Sequence, residues 1–454
     1  MSHVKKLATI ALACFLVLGL AAWVSGPNAK KRSAEEVSST AAPAASANDQ
    51  LTNANMQAML DQGRHTFRYD TFGDEAFWGG ALHLQQAIAG EKLGGVGPGV
   101  SPKIALSVGL KIDADALPPS LVEQIKAGKV NLDDPATTLA LLKLNSVVGV
   151  TGFFDEQGKL QSMGIQCAFC HSTVDNSFSP GIGHRLDGWA NRDLNVGAIV
   201  SLSPNLQPVA DLLGVDVPTV KKVLASWGPG KYDAELDQDG KAFRPDGKSA
   251  ATLLPAAFGL AGVNNGTYTG WGSMTYWNAY VANTQMHGKG AFSEPLVTEK
   301  QFPVGAKAHY NQVRNADDQI TSKLGALQFY QLAIPAPKAP DGSFDKAQAE
   351  RGKVLFSGKA NCASCHVPPL YTEPGSSLHT PEEIGIDDFQ SSRSPTKKYR
   401  TTPLRGLWTH QKGGFYHDGR FQSLDEVIRH YDQHSKLGLT TQEEKELAEF
   451  LKSL

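Results

Sequence analysis

The stretch CAFCH at residues 167–171 returns almost unchanged as CASCH at residues 362–366. The chain has five cysteines in 454 residues, and these two pentapeptides contain four of them. In each pentapeptide two residues separate the cysteines, and a histidine follows the second cysteine. At this chain's own Cys and His frequencies, one such pentapeptide arises by chance in roughly one chain in several hundred, and two arise far more rarely. The repeat therefore indicates two sites with the same chemistry.

This pattern is typical of haem c attachment, because two cysteines at that spacing reach the two vinyl groups at one edge of a porphyrin. The adjacent histidine then binds the iron from below. We predict two covalently bound haem c groups, with these covalent anchors and proximal iron ligands: Cys167, Cys170, His171, Cys362, Cys365 and His366. A zinc site would not need a histidine after each Cys pair, and a structural disulfide is the other alternative.

The N-terminal residues predict export. A basic pair precedes the apolar run at residues 7–24, which is the layout of a secretion signal, and its length also suits an uncleaved membrane anchor. We expect residues 1–27 to be one or the other, and residues 28–50, rich in Ser, Ala and Pro, to be a flexible spacer. The expected location is the periplasm, with tethering to the inner membrane if the run is retained. A formal net charge of -2 argues against a nucleic-acid partner.

The rest of the chain predicts a mainly α fold with two cytochrome c-like haem domains and an N-terminal helical extension. Helical periodicity appears at 77–90, 118–128, 135–149 and 319–334, whereas 150–165 is typical of a hairpin. A Pro-rich hinge follows the helix that ends at 334. The predicted segments are an extension at 51–161, a first haem domain at 162–318, a helix and linker at 319–343, and a second haem domain at 344–454.

Two helices of the second haem domain have sequence signatures of their own. Thr441 and Glu444 have the spacing of a capping box that opens the C-terminal helix, and Gly352 would let an earlier helix cross it closely. Ser423 and Glu426 have the same spacing at the start of a helix on which Tyr431 lies with the apolar face. No methionine follows residue 286, so a methionine ligand from within this domain is excluded.

Each iron has a candidate distal ligand on the opposite side from its proximal histidine. For the first haem, His184 follows His171 by 13 residues, and a loop of that length can bring it over the ring. A histidine on a surface loop is the alternative, and His287 is a weaker rival. For the second haem, Tyr431 faces inward, toward either the haem or the core.

The segment YRTTPLRGLWTHQKGGFYHDGRFQSLDEVIRHY at 399–431 resembles a characteristic segment of the bacterial di-haem cytochrome c peroxidases and their MauG-like relatives. The resemblance extends over about 162–454 and includes both pentapeptides in the same order. It implies that Tyr431, 14 positions after His417, is the distal ligand of the second haem, as in the MauG-like members. It also implies that His184 is the distal ligand of the resting first haem and that Trp277 lies between the two haems.

Three departures from that family bear on function. Gln285 stands where the family has its peroxide-cleaving glutamate, and an amide cannot shuttle a proton as a carboxylate does. Ser249 and Lys412 replace two residues of the family's calcium site, and a lysine would repel the ion, so calcium binding stays open. The acidic residues of 235–246 have offsets close to those of a calcium loop, but we interpret them as a solvated turn.

The sequence therefore predicts an exported electron-transfer protein that reduces hydrogen peroxide or a related oxidant. Gln285, Trp277 and His184 are the candidate catalytic residues. The expected partners are an electron-donor protein or quinol-linked carrier and the small oxidant. Two alternatives stay open: a periplasmic electron carrier with both irons six-coordinate, and a MauG-like oxidase of a protein or organic substrate.

Overall fold

The computed structural model describes residues 46–454, and helices dominate it. A π-helix spans Ala76–Ala81, and short 3-10 segments include Cys362–Ser364. The α-helices, in chain order, are α1 Ala47–Tyr69, α2 Leu84–Ala89, α3 Pro102–Ser107, α4 Pro119–Lys126, α5 Pro135–Lys143, α6 Ala168–His171, α7 Val196–Val200, α8 Gln207–Leu213, α9 Val217–Trp227, α10 Leu236–Asp239, α11 Met274–Asn283, α12 Pro303–Lys307, α13 Leu324–Ala333, α14 Lys346–Ser357, α15 Pro381–Ile384, α16 Phe389–Ser392, α17 Leu424–Ser435 and α18 Thr441–Lys452.

The strands are short and pair two by two. β1 pairs in parallel with β5, and the pairs β2–β3, β4–β6, β7–β8 and β9–β10 are antiparallel. Their bounds are β1 Ile112–Asp113, β2 Val150–Phe154, β3 Leu160–Ile165, β4 Ser172–Val174, β5 Ile182–Gly183, β6 Arg185–Asp187, β7 Lys231–Tyr232, β8 Thr252–Leu253, β9 Ala291–Ser293 and β10 Gln312–Arg314. The β2–β3 pair confirms the hairpin predicted at 150–165.

The predicted helices are present but shorter than expected. The one predicted at 77–90 is divided because His83 has φ 57°, in the left-handed region, between the π-helix and α2. The one predicted at 135–149 stops at Lys143 because Asn145 also has positive φ. The capping box of α18 is formed by Thr440 and Glu443, one residue before the predicted pair, whereas Ser423 caps α17 as predicted.

Residues 51–454 form one compact body. Its largest apolar core joins side chains of the predicted extension, such as Trp78 and Leu142, to side chains near the first pentapeptide, such as Phe169 and Val196. A separate core around Phe356 and Leu447 packs against the second pentapeptide. β3 continues across the boundary predicted at 161/162, and the division into haem domains stays a prediction.

Within residues 46–454, no helix has the length and apolar character needed to cross a membrane. The apolar run at 7–24, Cys14 and the part of the predicted 28–50 spacer up to residue 45 lie outside the described residues. The prediction of a spacer is wrong for its last residues, because α1 already begins at Ala47.

Candidate haem centres

The first pentapeptide lies directly after the β2–β3 hairpin, on the single turn of α6. The backbone N–H of His171 donates to the carbonyl oxygen of Cys167 at 3.1 Å, which puts both cysteines and the histidine on one turn. Burial raises the pKa of Cys167 and of Cys170 to about 12. Both thiols are free. Neutral, buried thiols close to a histidine fit covalent attachment to an apolar group better than they fit a zinc site.

Both pentapeptide histidines direct the same ring nitrogen at a backbone carbonyl. Nδ1 of His171 lies 3.1 Å from the carbonyl oxygen of Pro255, and Nδ1 of His366 lies 3.2 Å from that of Tyr371. Burial lowers the pKa of each imidazole, so the neutral form is favoured. A carbonyl oxygen keeps the proton on Nδ1, and the lone pair of Nε2 is then available to a metal. The contact at Nδ1 of each histidine therefore favours the tautomer that an iron ligand needs.

A cavity of about 250 Å³ adjoins the first pentapeptide. Cys167, Cys170 and His171 line it, and most of the other lining side chains are aliphatic or aromatic. Arg400 also lines it: its Nη1 donates to the carbonyl oxygen of Asn265 at 2.7 Å, and its buried Nε has no hydrogen-bond partner. A largely apolar space with an arginine at its wall matches a porphyrin, which has an apolar ring and carboxylate substituents.

Two of the three predicted catalytic residues lie at this cavity. Trp277 on α11 lines it and stacks on Tyr280, with ring centroids 4.7 Å apart. Gln285 lines it as well, and its Nε2 donates to the carbonyl oxygen of Ala234 at 3.1 Å. The buried Met286 follows. The structure therefore brings Trp277 and Gln285 together with the first pentapeptide, and their catalytic roles stay predictions.

The structure does not bring His184 to the cavity. Its side chain is 54% exposed, and its Nδ1 lies 2.7 Å from Oδ1 of Asp115. This hydrogen bond raises the pKa of His184 and holds the ring outward, against Phe178. His184 thus occupies the position of the alternative, a histidine on a surface loop. Binding of His184 to the iron of the first haem would require this loop to move. The rival His287 is half-buried and stacks on Phe77, with ring centroids 3.6 Å apart.

The second pentapeptide lies where α14, α17 and α18 meet. Cys362 begins a 3-10 turn and contacts the core of this region. Tyr431 on α17 is close by: burial is the main cause that raises the pKa of its phenol, and charge on Cys362 or Cys365 raises it further. The ring of Tyr416 lies beside it, with centroids 6.4 Å apart. Tyr431 is therefore a neighbour of the predicted haem anchors, as the helical face indicates.

The prediction of a solvated acidic turn at 235–246 is wrong for its first half. Glu235 and Asp239 are buried, because Arg393 enters the segment and neutralises part of its charge.

Nowhere in residues 46–454 do three or more His, Cys, Asp or Glu converge in a way that could hold a metal ion. Lys412 forms an ion pair with Asp193 at 2.5 Å, and Ser249 lies 3.0 Å from Ser226, oxygen to oxygen.

The sequence did not reveal what the extension does. Side chains from 51–161 form one wall of the cavity, and Nε1 of Trp78 donates to the carbonyl oxygen of Met286 at 3.0 Å. The wall residues are Trp78, Leu84, Ile88, Val100, Ala105, Val108, Leu110, Thr138, Leu142, Val147 and Val150. Glu235 and Gln390 at the cavity were also missed. Arg400 could have been found from its place in the matched segment at 399–431.

No family model matches the chain. A stretch of 184 residues is 26% identical to the methylamine utilization protein MauG of Methylorubrum extorquens, covering 36% of this chain and 52% of that protein. A stretch of 202 residues is 26% identical to the cytochrome-c peroxidase IdrP1 of Denitromonas iodatirespirans, covering 32% of this chain and 53% of that protein. The chain thus spans about half the length of these curated relatives.

Among solved structures, hydrazine synthase of Kuenenia stuttgartiensis aligns with 49% of this chain and 86% of its own, at 18% identity and a TM-score of 0.27, which is too low to define a shared fold. The partial sequence matches support the resemblance to di-haem cytochrome c peroxidases and MauG at a coarse level, that of a redox protein that uses c-type haem.

Proposed function

We propose that the protein is an exported di-haem c-type cytochrome that reduces hydrogen peroxide, or a related small oxidant, with electrons from a donor protein or quinol-linked carrier. Cys167 and Cys170 would hold the first haem with His171 as proximal ligand, and the second pentapeptide would hold the other. The observation that supports this most is the cavity that the first pentapeptide shares with Trp277 and Gln285.

Haem, when bound, would supply electron transfer and binding of the oxidant. The chain's own residues divide the remaining tasks. The carbonyls of Pro255 and Tyr371 orient the two proximal imidazoles. The apolar walls exclude bulk water, and the Nε2 group of Gln285 is fixed by the carbonyl of Ala234. Trp277, stacked on Tyr280, provides an aromatic path at the edge of the cavity.

An electron carrier is the second candidate function, and the methionines favour it. Met163, Met274 and Met286 all line the cavity, and a thioether is a common sixth ligand of haem iron in electron-transfer cytochromes. A thioether on the first iron would close the position at which the oxidant binds.

Spectroscopy of the holoprotein separates the two functions. The full chain is produced in a bacterium that matures c-type cytochromes, and mass spectrometry counts the haems. The peroxidase proposal expects two attached haems, one iron that becomes high-spin and reactive on reduction, and oxidation of both irons by hydrogen peroxide. Two low-spin irons in both oxidation states, unchanged by peroxide, would favour the carrier and exclude the peroxidase.

A further inference from the structure

A buried acidic segment lies beside the cavity of the first pentapeptide. It follows β7 and continues through α10, and Asp233, Glu235 and Asp239 are 1%, 4% and 7% exposed. Arg393 reaches into it from the end of α16, with Nη2 2.8 Å from Oδ1 of Asp233 and Nε 2.9 Å from Oδ2 of Asp239. The arginine is therefore shared by two aspartates, and Glu235 lies between them in the chain.

Glu235 differs from its neighbours in where it lies. Among residues 46–454 it is the one Asp or Glu that lines the cavity, and its Oε2 is buried without a hydrogen-bond partner. The preceding carbonyl, that of Ala234, accepts the hydrogen bond from Nε2 of Gln285. Through this bond the acidic segment contacts Gln285, which stands where the family that the sequence resembles has its catalytic glutamate. An unsatisfied carboxyl oxygen at the wall of a reaction cavity is costly unless a ligand or substrate uses it.

The groups around Glu235 allow it to exist in both protonation states near neutral pH. Burial raises its pKa to about 7, Arg393 opposes that rise and Asp233 adds to it. A general acid or base works best when its pKa is near the working pH. The titratable, charged and amide groups that face Glu235 come from its own segment, α11 and α16: Asp233, Asp237, Asp239, Tyr280, Gln390 and Arg393.

We propose that Glu235 is the catalytic proton-transfer residue of the first haem cavity, taking over the role that Gln285 cannot perform. The inference rests on the proposed reduction of peroxide. In that reaction hydrogen peroxide takes up two electrons from the external donor and two protons, and becomes two waters. As a carboxylate, Glu235 accepts the proton of one peroxide oxygen. As a carboxylic acid, it returns that proton to the other oxygen, which leaves as water when the O–O bond breaks, and solvent supplies the two protons of the balance.

Gln285 then acts as a positioning residue. Its amide cannot exchange a proton in this step, but its hydrogen bond to the carbonyl of Ala234 holds the neighbouring Glu235 at the cavity wall.

The test compares the wild-type holoprotein with Glu235→Gln, Glu235→Asp and the control Asp237→Asn. Asp237 lies two residues away, its carboxyl oxygens are buried, and it does not line the cavity. The reduced proteins are mixed with hydrogen peroxide, and the rate of the haem absorbance change is followed from about pH 5 to about pH 9. An infrared titration of the same samples reports the protonated carboxyl band. Haem content and circular dichroism verify folding.

The carboxylate must accept the first proton, so the wild-type rate should rise as pH passes through about 7 and then level off. Glu235→Gln should lower the rate at high pH by about 100-fold or more, abolish the pH dependence, and remove one carboxyl band that titrates near the same pH. Glu235→Asp should retain the pH dependence, and Asp237→Asn should retain the wild-type rate.

Three results overturn the inference, and they are distinguishable. A wild-type protein that does not react with peroxide overturns the proposed function and the role of Glu235 with it. A reactive wild type with an equally fast Glu235→Gln variant overturns the role of Glu235 alone. If Glu235→Gln does not fold, the wild-type titration decides, and a rate or infrared spectrum that does not change through about pH 7 rejects the role.

Discussion

At the residue scale, the chemistry of this protein depends on which ring nitrogen or oxygen of a buried side chain is left free. A backbone carbonyl lies beside Nδ1 of His171 and of His366, and this contact favours a proton on Nδ1 and a lone pair on Nε2, the nitrogen that would bind iron. Tyr431 is a third such group, because burial raises its pKa and its neighbours are the cysteines of the second pentapeptide. As an iron ligand it would bind as a phenolate, which a ferric ion stabilises.

Replacing Tyr431 with Phe tests its role as distal ligand. In the holoprotein, Tyr431→Phe should change the optical and spin-resonance signals of the second haem and leave those of the first haem unchanged, because the two pentapeptides contact separate cores. Losing an anionic ligand should raise the reduction potential of that haem. The control is Tyr416→Phe, which removes the adjacent phenol and should leave the ligands unchanged. Identical spectra for Tyr431→Phe and wild type would reject Tyr431 as a ligand.

Sequence reasoning predicts most where spacing alone defines chemistry. The spacing of the two pentapeptides predicts the haem anchors and proximal histidines, and the periodicity of α17 directs Tyr431 inward, close to the second pentapeptide. The roles of these residues as ligands stay predictions. The sequence did not predict the burial of Glu235, because an acidic segment is normally solvated. Arg393, distant in the chain, compensates the negative charge of this segment by pairing with Asp233 and Asp239. Sequence reasoning also missed Trp78, whose hydrogen bond to Met286 spans more than 200 residues and leaves no local signal.

At the element scale, α14 and α18 cross, and the core between them packs against the second pentapeptide. Gly352 allows the crossing: a Cβ built at this position would lie 2.0 Å from the carbonyl oxygen of Glu446 on α18. The sequence predicted this close crossing from the glycine, and the structure confirms it. Phe356, one turn further along α14, packs edge-on against Phe450 of α18, with ring centroids 5.1 Å apart.

Gly352→Ala should therefore destabilise the protein even though alanine favours helices. A methyl group would force the two helices apart, and overpacking of this kind costs about 1–3 kcal/mol in free energy of unfolding. Chemical denaturation followed by circular dichroism measures the change. Gly375→Ala is the control, because a Cβ at that glycine has no atom within 4 Å, and we expect a change within about 0.5 kcal/mol. Equal stability of the two variants would show that α14 and α18 do not cross as described.

At the scale of the whole molecule, ion pairs join segments that the sequence assigns to different haem domains. The buried Arg393 belongs to the predicted second domain, whereas its partners Asp233 and Asp239 belong to the first. Arg244 pairs in the opposite direction at a more exposed position, with Nη2 2.9 Å from Oδ2 of Asp387, whose side chain is 37% exposed. The proposed electron exchange between two haems would require a fixed geometry, and the buried pairs of Arg393 would hold the two segments in place because separating them would leave each charge unpaired.

Arg393→Met provides the test of this connection. The side chain of Arg393 is fully buried, so its removal leaves Asp233 and Asp239 without their counter-charge, and we expect a loss of about 3–5 kcal/mol in free energy of unfolding. Urea denaturation of the holoprotein, followed by haem absorbance and by tryptophan fluorescence, measures it. Lys452→Met, which breaks the more exposed pair of Lys452 with Glu449, should cost less than about 1 kcal/mol. Similar losses in both variants would mean that the pairs of Arg393 do not hold the two segments together.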